Sequence, residues 1–322
     1  MAWCRIEKVG SLFPTCPFKG IIHSVFPQTI NLEIPDSPLL YSLLTQPMFL
    51  HPLAVLVSKE WRGTFETMGL QKKSAYSFNG KTLQIGSSLT LDFSTAQKIQ
   101  SREEELPELT LSAPELSERL DAAGKGLETV QRQKNTKLRW DTNTREGLYL
   151  ISGSGKEWPV FRVSAHQLIQ GLCENNPTEA VSASLKLVGL GEGLTPSGDD
   201  FLCGLTLALC MGSKSPLGVH RIDHGALDAW LKGLETVLGL GTQRSPEQDR
   251  KAFTGRVSKT FLYLATQRKF STLLLQLGRA FTSDLPWWGT LLNALSLYGH
   301  SSGLDCATGF LYGISAVDPR RN

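Results

Sequence analysis

The first third of the chain consists of short apolar stretches that alternate with polar residues and are separated by proline or glycine. Such stretches are typical of half-buried strands. Asn79-Gly80 lies between two of them, and this dipeptide favours the left-handed residues of a type I′ hairpin turn. The pattern predicts a β-rich domain of the small barrel or sandwich type over residues 1–155. The predicted strands are 20–26, 29–34, 53–58, 74–78, 81–85 and 89–93.

Residues 96–135 are polar and charged, and they are expected to form a connector within this domain that contains one helix. Ser112 can cap that helix, with Pro114 in its first turn. Residues 147–152 are predicted to form a further strand, which would complete the N-terminal sheet. The apolar stripe of the connector helix is Leu116, Leu120, Ala123, Leu127 and Val130.

From residue 156 to residue 322, apolar residues recur at the spacing of helices that bury one face. The sequence therefore predicts an α-helical second domain over 156–322 and an α+β fold class. Helix starts are expected at Ser164 and Ser245 and a turn at 214–218. The other predicted helices are 178–188, 226–238, 273–281, 291–298 and one that opens after residue 303.

A glycine-rich stretch near the middle of this domain leads into a helix start. Three glycines stand at alternate positions in residues 189–193, which argues against a packed strand or helix there. Thr195 or Ser197 can cap the helix that follows. Asp199 and Asp200 then lie in its first turn, where the helix dipole favours negative charge. We expect a flexible loop that meets a buried helix and exposes backbone N–H groups at the joint.

Residues 302–314 repeat part of this stretch. Aligned with residues 197–209, they share Ser-Gly-x-Asp-x-x-x-Gly followed by apolar residues. Glycine inside a helix costs about 1 kcal/mol relative to alanine, so Gly204 and Gly309 predict a close approach of two helices. We expect two helix N-termini to converge on one site, with residues 300–301 beside the second. The other equivalent pairs are Ser197 and Ser302, Gly198 and Gly303, and Asp200 and Asp305.

Two kinds of ligand fit such a joint. Free N–H groups at a helix start bind anions, whereas Asp199 and Asp200 could hold a cation, most naturally Mg²⁺ bridged to a phosphate. A tight turn capped by its own aspartates is the structural alternative. The stretch is no P-loop, because no Gly-Lys-Ser/Thr follows. It is no dinucleotide fingerprint either, because Pro196 stands where the third glycine would fall.

Residues 191–202 and 299–305 together resemble a known bacterial family. They read Gly-x-Gly-Leu-Thr-Pro-Ser-Gly-Asp-Asp-Phe-Leu and Gly-His-Ser-Ser-Gly-x-Asp. The best-described members of the family are AllH-type subunits of oxamate carbamoyltransferase, from allantoin degradation. The resemblance implies a multisubunit enzyme with an FdrA-like partner. The implied reaction transfers a carbamoyl group from oxalurate to phosphate and yields oxamate and carbamoyl phosphate.

That reaction gives each motif residue an expected role. His300 is expected to act as the acid or base, since an imidazole exchanges protons near neutral pH. Asp199 and Asp200 are expected to hold Mg²⁺ or to orient the substrate amide. The expected residues for binding the small anionic substrate are Gly191, Gly193, Thr195, Ser197, Gly198, Ser301, Ser302, Gly303 and Asp305. The sequence does not choose among Arg244, Arg250, Lys251 and Arg256 as the neutralising cation.

Net charge, apolar stretches and cysteine spacing restrict the kinds of partner and the compartment that we expect for this protein. The chain of 322 residues has a formal net charge of +3, too small to predict a nucleic-acid partner. It shows no apolar stretch of membrane-spanning length and no apolar signal region. Its six separated cysteines are typical of reduced, mostly buried thiols, so we expect a cytoplasmic protein. Three classes stay open: a catalytic subunit, a non-catalytic scaffold or anion-binding subunit, and a Mg²⁺-dependent phosphate-handling enzyme.

Overall fold

The computed structural model describes residues 2–61, 63–99, 105–141, 150–153, 156–213, 222–239, 253–283 and 286–317. The chain divides into two compact units. The first comprises Met1–Glu105 with Lys269–Leu273, and the second comprises Leu106–Arg268 with Leu274–Asn322. A β-barrel in the first unit and helices in the second give the α+β class that the sequence predicts.

Strands of the first unit form a closed eight-stranded barrel. They are β1 (Ala2–Val9), β2 (Phe18–Phe26), β3 (Thr29–Glu33), β4 (Leu40–Leu44), β5 (Ala54–Val57), β6 (Ala75–Phe78), β7 (Thr82–Ile85) and β8 (Leu89–Asp92). The order around the barrel is β5-β4-β3-β2-β6-β7-β8-β1, and β1 also pairs with β5 to close the ring. A short strand, β9 (Gln97–Lys98), pairs with β1. The barrel alternative of the prediction is therefore confirmed.

Alternating side chains of these strands fill the barrel interior. Ile30 and Leu32 on β3, and Leu83 and Ile85 on β7, are fully buried at every second position. This is the period of a strand with one face toward the core. The core thus follows directly from the apolar alternation.

The β6–β7 hairpin forms where Asn79-Gly80 predicts it, but its turn has a different geometry. Gly80 is left-handed, with φ of 93°, whereas Asn79 is not. Asn79 Oδ1 instead accepts the backbone N–H groups of Lys81 and Thr82 at 2.9 and 2.7 Å. The expected type I′ turn is therefore wrong, because the asparagine side chain supplies the turn by hydrogen bonding.

The second unit opens with α1 (Ala113–Lys134), the helix predicted within the polar segment. Ser112 caps it in a capping box with Glu115. Gln131 on its buried face donates to the Thr308 hydroxyl at 2.7 Å. β10 (Leu138–Asp141) and β11 (Leu150–Gly153) follow and, within the described part of the chain, pair only with each other, so the expectation that this segment completes the N-terminal sheet is wrong.

Eight further helices lie in the described part of the chain after β11. Ser164 is buried in the middle of the helix Trp158–Cys173 and does not start it, because Trp158-Pro159 provide the helix start instead. The predicted turn at 214–218 and the start at Ser245 lie outside the described residues. No helix among the described residues has both the length and the apolar character needed to cross a membrane. The helices are α2 (Trp158–Cys173), α3 (Pro177–Leu187), α4 (Ser197–Gly212), α5 (His224–Val237), α6 (Arg256–Thr266), α7 (Thr272–Thr282), α8 (Pro286–Leu295) and α9 (Ser302–Val317).

Candidate functional site

The two repeated motifs form the starts of α4 and α9, which lie side by side and run in the same direction. Gly204 and Gly309 allow their backbones to touch. A Cβ atom at Gly204 would lie 1.8 Å from the carbonyl oxygen of Cys306, and one at Gly309 would lie 1.9 Å from that of Phe201. No side chain fits at either position, so the two glycines fix the close approach that the sequence predicts.

The contacts between the motifs are reciprocal, as a two-fold axis between α4 and α9 would make them. Phe201 and Cys306 occupy equivalent positions of the repeat, so each glycine packs on the matching carbonyl of the other copy. A Cβ at Gly198 would lie 2.0 Å from the carbonyl oxygen that ends α3. One at Gly303 would lie 2.2 Å from the oxygen that ends α8. The repeat is therefore a whole helix–loop–helix unit, present as α3–α4 and α8–α9.

Hydroxyl groups cross from each motif to the other. Thr195 Oγ1 and Ser302 Oγ are 2.7 Å apart. Ser302 also lies beside the carboxyl of Asp200 in the first motif, and Ser197 lies beside the carboxyl of Asp305 in the second. The structure thus brings the two helix N-termini together around a pair of aspartates.

Asp199 is buried, and both of its carboxylate oxygens have donors. Oδ1 accepts the N–H of Gly189 at 2.9 Å, and Oδ2 accepts the hydroxyl of Thr254 at 2.5 Å. Burial raises the pKa of Asp199, and hydrogen bonds from Thr254, Gly189 and Ser258 counter part of that rise. Asp199 therefore ties the beginning of the glycine loop to α4. Its predicted catalytic and metal-binding roles stay predictions.

Asp200 and Asp305 differ from Asp199 in the geometry of their donors, because the hydroxyls beside them do not reach regular hydrogen-bond geometry at every carboxyl oxygen. These hydroxyls belong to Thr195 and Ser302 at Asp200 and to Ser197 and Ser301 at Asp305. Asp305 is 0% exposed and Asp200 is 5% exposed. Oδ2 of Asp200 and both oxygens of Asp305 have no hydrogen bond of regular geometry to the described residues. Burial raises the pKa of Asp305 to about 7 although the hydroxyls of Ser197 and Ser301 lie near enough to lower it. Burial and then the charge of Asp305 raise the pKa of Asp200 well above its ordinary value.

Backbone N–H groups in the first turn of each helix are already bonded within the protein. The N–H of Gly198 donates to the carbonyl of Leu190, and the next two N–H groups donate to that of Pro196. In the second motif the N–H of Gly303 donates to the carbonyl of Tyr298. An anion at this site would therefore meet the loop before α4 rather than the amides of these first turns. Anion binding by the two glycines themselves stays a prediction.

The tip of that loop is exposed and left-handed. Gly191 and Gly193 have φ values of 117° and 96°, which a residue with a Cβ rarely adopts. Glu192 between them forms an ion pair with Lys137, with Oε1 2.9 Å from Nζ. Both side chains are mostly exposed, so this pair holds the tip only weakly.

Lys137 also lines a recess beside the loop that the sequence does not reveal. Gly191 and Ser197 form another side of this recess, and the rings of Trp158 and Phe161 form its apolar wall. A single lysine before a strand carries no sequence signal, so Lys137 was missing from the predicted site. Of the cations left open by the sequence, residues 244, 250 and 251 lie outside the described part of the chain.

His300 is exposed and Ser301 is half-buried in the turn before α9. Both belong to the second motif, so they lie on the chain directly before the serine that contacts Thr195. The structure places His300 at the solvent side of the site. Its role as acid or base stays a prediction.

No group of three or more His, Cys, Asp or Glu side chains within the described ranges could hold a metal ion. The oxygens of Asp199 are occupied by donors. A Mg²⁺ ion would therefore depend on Asp200 together with substrate oxygens or water. The Mg²⁺ prediction stays a prediction.

Cys203 and Cys306 are buried next to the aspartates. Burial, followed by the charge of Asp200, raises the pKa of both thiols well above the ordinary value. A raised pKa keeps a thiol protonated and poorly nucleophilic. These cysteines therefore act as small apolar side chains.

The fold and the site define a two-unit α+β protein whose second unit holds a repeated helix–loop–helix site. Residues 187–314 match the family described as oxamate carbamoyltransferase subunit AllH. Residues 5–98 match the AllH family N-terminal domain. The chain belongs to the AllH family, since the two matches cover most of its length. Neither the curated proteins nor the solved structures contain a significant match to it.

Proposed function

We propose that this chain is the substrate-binding subunit of a carbamoyl-transferring complex that resembles oxamate carbamoyltransferase. A phosphate oxygen attacks the carbamoyl carbon of oxalurate, and the C–N bond to the oxamate nitrogen breaks. The proton of the phosphate moves to that nitrogen, which gives oxamate and carbamoyl phosphate. The main support is the 2.7 Å contact between Thr195 and Ser302, which joins the two family motifs next to two buried aspartates.

The recess beside the glycine loop suits the anionic end of the substrate. Lys137 supplies a positive charge at its edge, where Glu157 also lies, and an anion would compete with Glu192 for this lysine. The loop at 191–195 adds backbone N–H groups in left-handed geometry, a conformation that forms anion-binding concavities. Such preorganised donors also stabilise the oxyanion of the tetrahedral state.

His300 is the proposed proton carrier of the site. It is exposed in the turn that carries Ser301 and leads into Ser302. An imidazole there could take the phosphate proton and return it to the leaving nitrogen. This role requires His300 to approach the substrate once the site is occupied.

A non-catalytic role is the second candidate. The exposure of His300 and the internal bonding of the first-turn amides leave the site short of catalytic groups. An FdrA-like partner subunit would then supply them, and this chain would bind and hold the substrate. The two candidates share the ligand and differ in which chain carries the chemistry.

Thermal unfolding of the full chain tests the ligand class. Phosphate, carbamoyl phosphate, oxamate and oxalurate are each added with and without Mg²⁺. A ligand at 100 times its Kd stabilises the native state by about 2.7 kcal/mol, so binding gives a clear rise in Tm. Lys137→Met should reduce the rise with phosphate, whereas Lys134→Met, at an exposed lysine on α1, should not. The absence of any rise, alone and with an FdrA-like partner present, would contradict the proposal.

Turnover by the assembled complex separates the two candidates. His300→Ala should abolish turnover without weakening assembly if this chain carries the chemistry. Unchanged turnover by this variant would exclude His300 as the proton carrier and favour the non-catalytic candidate. In both cases a Mg²⁺ requirement is checked by comparing EDTA-treated and Mg²⁺-supplemented samples.

A further inference from the structure

We propose that Asp200 and Asp305 recognise the –NH₂ group of the carbamoyl substrate through their carboxyl oxygens. This inference rests on the proposed function and specifies which end of the substrate the aspartates bind. A carbamoyl group differs from an acyl group by its two N–H donors. The aspartates would therefore select carbamoyl compounds over acyl compounds of the same shape.

The unpartnered oxygens are the first support. Asp305 is completely buried, and the hydroxyls of Ser197 and Ser301 lie beside it, yet neither of its oxygens has a hydrogen bond of regular geometry to the described residues. The same holds for Oδ2 of Asp200. Buried polar groups in native proteins are nearly always bonded, and each exception needs an explanation. A ligand with N–H donors would supply the missing partners.

The position of Ser197 is the second support. Ser197 lines the recess that Lys137 borders, and it also lies beside the carboxyl of Asp305. The recess and the aspartate pair are therefore connected through one side chain. Neither aspartate lines the recess itself, so the –NH₂ end of a molecule with its phosphate at the Lys137 side would reach the aspartates past the Ser197 side chain.

The charges of the two regions fit opposite ends of carbamoyl phosphate. An ionised carboxyl repels a phosphate or carboxylate, and carboxyl oxygens are hydrogen-bond acceptors, so the pair suits an N–H donor better than the anionic end. A carboxyl oxygen accepts an N–H whether the group is ionised or protonated. The –NH₂ end of the substrate carries no charge and offers two such donors.

Carbamoyl phosphate and acetyl phosphate provide a matched pair of probes, because they differ only in –NH₂ against –CH₃. Their Kd values for the full chain are measured by titration calorimetry at pH 7. We expect the wild-type chain to bind carbamoyl phosphate about tenfold or more tightly than acetyl phosphate, since a polar site rejects an analogue that leaves its groups unpaired. In Asp305→Asn the preference should fall below about threefold, because the amide adds a donor where an acceptor is needed.

Asp36→Asn, at an exposed aspartate of the first unit, is the matched control and should keep the wild-type preference. If Asp305→Asn does not fold, Asp200→Asn gives the same comparison. Equal binding of both probes by the wild-type chain would overturn this inference and leave the proposed function standing. An unchanged preference in the folded aspartate variant would overturn it too. Binding of neither probe, alone and with an FdrA-like partner present, would overturn both proposals.

Discussion

Replacing Asp305 by asparagine should stabilise the chain, and the gain should grow as the pH rises. The substitution keeps the shape of the side chain and removes a buried acid. The pKa of Asp305 is about 7 in the folded protein, against 3.8 for an ordinary aspartate. The native state therefore holds a proton that the unfolded chain has released between these two values. By linkage, wild-type stability falls with rising pH across this range.

The size of the effect follows from the same two values. Below pH 3.8 Asp305 is protonated in both states and makes no pH-dependent contribution. Integrating the proton difference from pH 5 to pH 8 gives a loss of about 2–3 kcal/mol for the wild type, which the asparagine variant avoids. At about 2–4 °C per kcal/mol, this corresponds to a Tm difference that widens by about 5–10 °C.

Denaturant unfolding of both chains at pH 5, 6, 7 and 8 measures this difference directly. The free energy of unfolding of the variant minus that of the wild type should increase steadily across the series. Asp36→Asn should show a constant difference. A difference for Asp305→Asn that stays flat with pH, or shrinks, would refute the assignment of a buried and unpartnered carboxyl at this position.

Three further changes have defined outcomes. Gly309→Ala should destabilise the chain by about 3 kcal/mol or more, because its Cβ would overlap a backbone oxygen. Gly289→Ala, in open space on α8, is the control and should stabilise the chain by about 0.5–1 kcal/mol. Equal effects of the two substitutions in calorimetry would contradict the contact between α4 and α9. Thr254→Val should cost about 1–3 kcal/mol by removing the hydroxyl that serves a buried carboxylate, and a loss not restored by Thr254→Ser would contradict that bond. Glu192→Gln should tighten phosphate binding measured by calorimetry, since it releases Lys137 from its ion pair; weaker binding would count against the recess as the anion site.

Local signals made several elements predictable from sequence. Ser112 starts α1, and the sequence shows this because both residues of the capping box lie within four positions, Ser112 to Glu115. Asn79-Gly80 marks the β6–β7 hairpin for the same reason, although the turn type depends on a side-chain bond that the dipeptide does not specify. The repeated Ser-Gly-x-Asp-x-x-x-Gly pattern predicted the contact of α4 with α9, since glycines inside helices indicate close packing.

Long-range pairing explains most of what the sequence did not predict. β1 and β4 have modest apolar patterns, and closure of the barrel through β1 and β5 joins strands that are far apart in the chain. Lys137 reaches the site because β10 and β11 are packed in the second unit, which no local pattern encodes.

The different surroundings of Asp199 and Asp200 could not be predicted from the sequence either. Neighbours on a helix point in directions about 100° apart, so one carboxyl meets Thr254 and Gly189 while the other meets the second motif. A sequence motif lists the two as a pair. Only the fold separates Asp199, which ties down a loop, from Asp200, whose Oδ2 has no regular hydrogen bond to the described residues.

The crossing of Ser197 to Asp305 and of Ser302 to Asp200 has a genetic consequence. Each aspartate–serine contact needs one residue from each motif, so a mutation in one motif disrupts the contacts of both. A chain mutated in the first motif and a chain mutated in the second each lack a complete pair. Expressed together, two such alleles should fail to complement each other, although every individual residue of the site is intact in one chain or the other.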